Sequence, residues 1–290
     1  MNESREQVKV EKIRKYIMRS GYPLEIEIGD ILRKSGWLVI NQWPYLDSAT
    51  KKVRTADVLA IRKKSPSAKF ALILLIECKK SEKNYWAFHT QKKENEFLPL
   101  LGTLLDFAKK ITNPSISGKL QQLLTNASIG NSFGINTRSS RLLKKLSGLH
   151  LLSKNIGIGV FHIVPSSKDD FFEATMQTIS AIESMESTKA TITFPVIVFD
   201  GDVYEFYQHS GKLEILPTNH VQHISFNAEL SPYLIDVVKR SYFLDFLKTI
   251  ENDFQILDEI ADYEMETMSE KPPTKSHSSE TVQSSQAEVK

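Results

Sequence analysis

ALILLIECKK, residues 71–80, is an apolar run that ends in a glutamate, a cysteine and two lysines. The run is far too short to span a bilayer, and its length is typical of a buried strand. Side chains alternate across a strand, so Glu77 and Lys79 share one face while Cys78 points to the other. A carboxylate and an ammonium at the end of a buried strand are costly unless something uses them. The stretch therefore predicts a functional site at this end of the strand.

The preceding strand-like run, VRTADVLAI at residues 53–61, carries Asp57 in the middle of an apolar pattern. If the two strands pair, Asp57 and Glu77 converge on one spot. Two carboxylates so close repel each other strongly, and a bound divalent cation resolves the repulsion. Oxygen ligands suit Mg²⁺, with Mn²⁺ as a substitute.

A helix predicted to begin at Pro23, run to about Ser35 and be capped by Gly36 supplies a third carboxylate. Its inner stripe consists of Leu24, Ile28, Ile31, Leu32 and Ser35. Glu25 lies about 65° from the centre of that stripe and Glu27 about 95°. The geometry favours Glu25 as the residue that reaches inward and leaves Glu27 as the alternative.

An acidic residue on a first helix, an aspartate in a strand and E-x-K ending the next strand resemble the pattern of PD-(D/E)XK nucleases. The positions that fill it in this chain are Glu25, Asp57, Glu77 and Lys79. The stretch GYPLEIEI, residues 21–28, also looks like the first helix of restriction-endonuclease-like proteins. Ala56 stands where the family name has a proline, and no acidic residue there offers a ligand for a second metal.

The resemblance implies an α/β fold in which a restriction-endonuclease-like mixed β-sheet is flanked by helices. It also implies Mg²⁺-dependent hydrolysis of phosphodiester bonds, with DNA as the expected substrate. Asp57 and Glu77 would bind the metal, and Glu25 would complete or bridge the site, directly or through water. Lys79 would orient the attacking water or stabilise charge developing on phosphorus.

Less specific interpretations stand beside this one. Glu77 and Lys79 could form a solvated strand end, with Asp57–Lys79 or Glu77–Arg54 as a structural ion pair. A nuclease-like fold could also serve as a non-catalytic nucleic-acid-binding or adaptor subunit in a defence or repair complex. The sequence leaves open a homodimer and a partner protein of a defence system.

Several residues outside the core motif are candidates for nucleic-acid contacts. Arg54 has the opposite strand parity to Asp57 and would contact phosphate at the sheet edge. Trp86 would line the cleft and stack on a base, with a place in the core as the alternative. The run RSSRLLKKL, residues 138–146, puts Arg138, Arg141 and Lys145 on related helix turns. These three would grip phosphates, or form a solvated helix face.

The predicted organisation is a charged N-terminal helix in residues 1–20 and a nuclease-like domain over 21–260. A helical insertion is expected at about 91–155. The tail, 264–290, has almost nothing to bury and is expected to be disordered. Later elements are predicted as a strand at 157–164, a helix at 168–186, a hairpin of 194–199 with 203–207 turning at 200–202, and a helix at 231–260.

Composition sets broad limits on function. The net charge of +2 permits a nucleic-acid partner without arguing for one. Cys78 is the single cysteine, which excludes a disulfide or a cysteine-based zinc site within one chain. The charged N-terminus lacks the apolar region of a secretory signal, and the longest apolar run is far too short to span a bilayer. A cytoplasmic protein is the expectation.

Overall fold

The structure, a computed structural model, describes residues 2–47, 50–62, 71–92, 155–163, 170–185, 191–226 and 232–255. Its elements in chain order are α1 (Asn2–Arg19), α2 (Tyr22–Lys34), β1 (Leu38–Leu46), β2 (Val53–Arg62), β3 (Ala71–Lys92), β4 (Asn155–Ile163), α3 (Asp170–Ser184), β5 (Thr191–His209), β6 (Lys212–Pro217), β7 (His220–Phe226) and β8 (Pro232–Lys239). A 3₁₀ turn, Arg240–Tyr242, follows β8 and leads into a helix, α4, that covers residues 243–255.

The strands form one mixed sheet of eight strands in the order β1-β2-β3-β4-β7-β8-β5-β6, and β3 also pairs directly with β5. The first three strands are antiparallel neighbours, as their short connections predict. β5 runs parallel to β3, and β8 runs parallel to β5. Helices flank this sheet, so the predicted α/β class with a mixed sheet is confirmed.

The register between β2 and β3 brings the two motif strands together. Val58 pairs with Ile76, and the backbone pairing ends there. One residue further along each strand lie Asp57 and Glu77, at the place where the strands begin to separate. Residues 71–78 of β3 are all buried, which explains the continuous apolar run in the sequence.

α3 covers one face of the sheet beside the motif strands. Its side chains Phe171, Ala174 and Ile179 join a core that includes Trp86 and Phe199. Proline at the start of α2 and the positive φ of Gly36 (83°) after its end agree with the predicted helix boundaries. α2 packs against β1 and β2, and its Glu25 lies near the end of β3.

The predicted hairpin with a turn at residues 200–202 is wrong. β5 continues through these residues as one strand, because β3 pairs with it on both sides of them, at Ala71–Lys80 and again at Tyr85–His89. The turn lies instead at Ser210 and Gly211, whose φ angles of 51° and 79° are those of a tight hairpin turn. Long-range pairing outweighs the local turn preference of Asp-Gly.

The predicted helix at 231–260 is wrong in its first part. Pro232–Lys239 forms β8, which lies between β5 and β7. Its apolar residues Ile235, Val237 and Val238 are fully buried there. β-branched residues suit such a strand, and two strand partners satisfy its backbone. Helical structure begins only at the 3₁₀ turn.

Two predicted segments fall mostly or wholly outside the described residues. The insertion at 91–155 is described only at its ends, where 91–92 belong to β3 and 155 to β4. The tail at 264–290 is not described at all. Among the helices that are described, none is long and apolar enough to cross a membrane.

Candidate functional site

The four residues predicted as the site line one cleft. Glu25 from α2, Asp57 from β2, and Glu77 and Lys79 from β3 share the walls of a cavity of about 340 Å³. Three elements separated in sequence therefore deliver three carboxylates and an ammonium to one place. This convergence was predicted from strand parity, and the spatial arrangement agrees with it.

Asp57 is fixed by the backbone of the neighbouring strand. Its Oδ2 accepts a hydrogen bond of 2.7 Å from the backbone N–H of Cys78. The bond continues the contact between β2 and β3 past the end of their backbone pairing. It orients the carboxylate toward the face that Glu77 occupies.

Glu77 and Lys79 form a close ion pair at the end of the buried strand. Lys79 Nζ lies 3.0 Å from Glu77 Oε1, and the two side chains are 24% and 7% exposed. Lys79 Nζ also donates to Gln177 Oε1 of α3 at 3.3 Å. The ammonium is thereby held between the β3 carboxylate and the helix that covers the sheet.

Glu25, and not Glu27, faces the cleft. Glu25 is 9% exposed, and its Oε2 accepts a hydrogen bond from the side-chain amide of Gln42 in β1. Glu27 points elsewhere and pairs with Arg240 at 2.6 Å, where both side chains are about 40% exposed. The wheel geometry of α2 therefore identified the inward glutamate correctly.

Burial raises the pKa of all three carboxyls, and repulsion from neighbouring carboxylates adds to this for Glu25 and Glu77. Burial is the main cause for Glu77, whose pKa rises from 4.5 to about 8, and repulsion from Asp57 adds to it while Lys79 opposes it. Burial also raises the pKa of Asp57, against the hydrogen bond from Cys78. The pKa of Glu25 is raised by burial and then by Asp57. A cluster of this kind has a strong affinity for positive charge.

Lys79 keeps its proton despite its burial. Burial alone would lower its pKa, but Glu77 and Asp57 outweigh this effect, and the net pKa of Lys79 is raised. The side chain is therefore a cation at neutral pH. It fits stabilisation of negative charge better than removal of a proton.

The donor set fits a hard divalent cation in its chemistry. Within the described chain, Asp57 Oδ1 and Glu77 Oε2 accept no hydrogen bond, while the other oxygen of each carboxylate is occupied. No three His, Cys, Asp or Glu side chains among these residues are already placed as a set of metal ligands. Asp57 and Glu77 could thus provide two oxygen ligands, and Glu25 could complete the set directly or through water.

Two predicted substrate contacts have structural partners of their own. Arg54 pairs with the buried carboxylate of Asp47 at 2.7 Å, with its own side chain 39% exposed. Trp86 is 1% exposed and stacks on Phe199 with ring centroids 3.8 Å apart. Its ring lines the cleft but packs against both Phe199 and Phe171, so the core alternative describes it. Arg138, Arg141 and Lys145 lie outside the described residues.

Three polar residues around the site were not singled out in the sequence. Gln42 holds Glu25, Gln177 holds Lys79, and the hydroxyl of Tyr45 donates to the backbone carbonyl of Gln177 at 3.2 Å. Burial, followed by the charge of Glu77, raises the pKa of Tyr45 to about 12. In the sequence, Gln177 follows Glu173 by four residues, so both lie on one polar face of an amphipathic helix. This spacing is the one sequence feature that could have indicated a role for Gln177.

Comparison with known proteins assigns no relative to this chain: no protein-family model, curated protein or solved structure matches it.

Proposed function

We propose that this chain is a metal-dependent nuclease of the PD-(D/E)XK, restriction-endonuclease-like kind. The observation that carries the proposal is the convergence of Glu25, Asp57, Glu77 and Lys79 on one cleft, in the order and on the elements that the motif requires. A mixed sheet flanked by helices is the architecture that the resemblance implies.

The chain's residues divide the chemical tasks among them. Asp57 and Glu77 offer the oxygen ligands for Mg²⁺, and Glu25 completes the set. Bound there, Mg²⁺ would polarise a phosphoryl oxygen and lower the pKa of a water molecule. The raised pKa of Glu77 means that this carboxyl must lose a proton when it binds a cation. A divalent cation between Asp57 and Glu77 would favour that loss, so metal binding should release a proton.

Lys79 is the residue that stabilises the reaction's developing charge. Its raised pKa keeps it cationic, and Gln177 fixes its ammonium at the cleft wall. A fixed cation beside a phosphate lowers the barrier to hydrolysis because negative charge builds up on phosphorus oxygens. Arg19 and Lys80 also line the cleft and add positive charge for a phosphate backbone. DNA is the substrate we propose.

A non-catalytic nucleic-acid-binding or adaptor role is the second candidate. The observation that favours it is the ion pair of Lys79 with Glu77, since a purely structural role for the motif would leave the same contact. In that case Lys79 satisfies a buried carboxylate and no metal is needed.

Metal titration beside a cleavage assay separates the two candidates. Calorimetric titration of wild-type protein with Mn²⁺ is expected to show saturable binding. Incubation with linear duplex, single-stranded and branched DNA and with RNA is expected to give Mg²⁺-dependent cleavage of DNA. Saturable metal binding without cleavage of any substrate, or no binding at all, would favour the adaptor role.

A further inference from the structure

α1 is a basic helix whose last residue lies at the candidate cleft. Its 18 residues include six basic and three acidic side chains. At 1.5 Å per residue the helix is about 27 Å long. Every side chain described between residues 6 and 19 is exposed, so this helix buries almost none of its surface on the domain.

The end of α1 is attached beside the site residues. Lys80, the neighbour of Lys79, donates from Nζ to the backbone carbonyl of Met18 at 3.2 Å. Ser20 closes the last turn by donating from Oγ to the carbonyl of Ile17 at 2.7 Å. Arg19, the last residue of the helix, lines the cleft. The helix is thereby anchored where a substrate would enter.

Three basic residues form one row along this helix. Lys12, Lys15 and Arg19 are spaced by three and four residues, which places them on one face within about 60° of each other. Neither Lys12 nor Lys15 forms an ion pair with any side chain in the part of the chain that the structure describes. The nearest acidic residue, Glu11, lies four positions before Lys15 but is bonded to Arg14 at 3.1 Å.

We infer that this row of Lys12, Lys15 and Arg19 binds the phosphate backbone of duplex DNA and guides it to the cleft. The inference rests on the proposed function. The row covers about 10 Å of helix axis, over which a duplex carries about six phosphate charges. The positive charge of this row is complementary to that of the phosphates. Because Arg19, at one end of the row, lines the cleft, a duplex bound along the row would lead to the cleft.

The test measures DNA binding in the absence of divalent metal, so that cleavage does not interfere. Affinity for a fluorescent 20-base-pair duplex is measured by anisotropy in EDTA at several KCl concentrations. Wild type is compared with K12Q/K15Q. Each phosphate contact contributes about 0.9 to the slope of log affinity against log salt, so the variant's slope should be shallower by about 2. Its affinity at low salt should fall on the order of tenfold.

Two further variants keep the test specific. R14Q/K248Q removes the same net charge from another face of α1 and from α4, and it should bind as wild type does. K12R/K15R keeps the charge and should retain the wild-type slope. Glutamine and arginine are good helix formers, and circular dichroism verifies that α1 stays folded in each variant.

An equal slope in K12Q/K15Q and wild type would overturn the inference, and so would an equal loss in R14Q/K248Q. If either of these results is found and wild type still cleaves DNA, the inference about α1 is wrong and the proposed nuclease function stands. If the slope change appears with RNA and not with duplex DNA, the commitment to duplex DNA is wrong. If wild type binds the duplex with the expected salt dependence but never cleaves it, the DNA-binding role of the row is supported and the proposed nuclease function is contradicted.

Discussion

Asp57 Oδ2 lies 2.7 Å from the backbone nitrogen of Cys78, at the point where β2 and β3 cease to pair. A side chain replaces a backbone carbonyl as the acceptor there. The strands can therefore separate without leaving a buried N–H unsatisfied, and the separation opens the space in which Asp57 and Glu77 face the cleft.

This hydrogen bond predicts different effects for two substitutions at Asp57. Asp57→Asn retains an oxygen that can accept the N–H of Cys78, whereas Asp57→Ala leaves that buried donor without a partner. We expect the alanine variant to be less stable than the asparagine variant by about 1–2 kcal/mol. Urea unfolding of both variants without metal checks this. Equal stabilities would mean that the bond contributes nothing to the fold.

The orientation of α2 predicts unequal roles for its two glutamates. Glu25→Gln should weaken Mn²⁺ binding and reduce cleavage at least tenfold, because this carboxylate faces Asp57 in the cleft. Glu27→Gln is the matched control. It loses an exposed pair with Arg240, which contributes about 0–1 kcal/mol, and cleavage should stay within about twofold of wild type. Activity that depends on Glu27 and not on Glu25 would reverse the assignment.

The raised pKa of Glu77 predicts a pH dependence of stability in the metal-free protein. Between its ordinary value of 4.5 and its folded value of about 8, the folded chain holds a proton that the unfolded chain has released. The contribution of Glu77 is therefore most favourable below pH 4.5, and stability is lost as the pH rises to about 8. The groups that face Glu77 are Asp57, Glu25 and Lys79. The pKa values of Asp57 and Glu25 are also raised, so these two acids add to the same pH dependence.

Glu77→Gln should remove this part of the pH dependence. Unfolding in EDTA at pH 5, 6.5 and 8 should show a flatter profile for the variant than for wild type. Between pH 5 and pH 8 the stability of the variant relative to wild type should therefore rise by on the order of 2 kcal/mol. Glu27→Gln, with a half-exposed carboxyl, should keep the wild-type profile. Parallel profiles for all three proteins would show that Glu77 is ionised in the metal-free fold.

The position of the β5 hairpin predicts the cost of two glycine substitutions. Gly211→Ala places a side chain at a φ of 79° and should destabilise by about 1 kcal/mol. Gly201→Ala places a Cβ about 2.5 Å from the ring of Phe199, which is itself buried against Trp86. We expect a loss of about 1–3 kcal/mol and a change in tryptophan fluorescence. A Gly201→Ala variant as stable as wild type would contradict the continuous strand.

Local patterns were enough to predict which side chains converge on the cleft but not the whole sheet. Strand parity and helical spacing depend on neighbours in sequence, and they placed Asp57, Glu77 and Glu25 correctly on one cleft. The first three strands follow each other through short connections, so their pairing could also be predicted. The mixed sheet as a class followed from the order of the elements.

Long-range pairing explains the errors. Asp200-Gly201-Asp202 has the composition of a turn, yet β3 is long enough to pair with β5 on both sides of it. Residues 232–239 form a strand because they pair with β5 on one side and with β7 on the other. No local sequence pattern reveals these partners. Gln42 and Gln177 reach the site across the tertiary structure, so their partners Glu25 and Lys79 could not be assigned from spacing.

Mn²⁺ binding and DNA cleavage measured on the same samples of wild type, Asp57→Asn and Lys79→Met test the nuclease site most directly. Asp57→Asn should weaken both, because a divalent cation prefers anionic oxygen ligands. Lys79→Met should bind Mn²⁺ at least as tightly as wild type, since it removes a competing cation. Its cleavage rate should nevertheless fall by about 10²–10³ through lost stabilisation of charge at phosphorus. Wild-type cleavage that persists unchanged in both variants would place the catalytic site elsewhere in the chain and contradict the account.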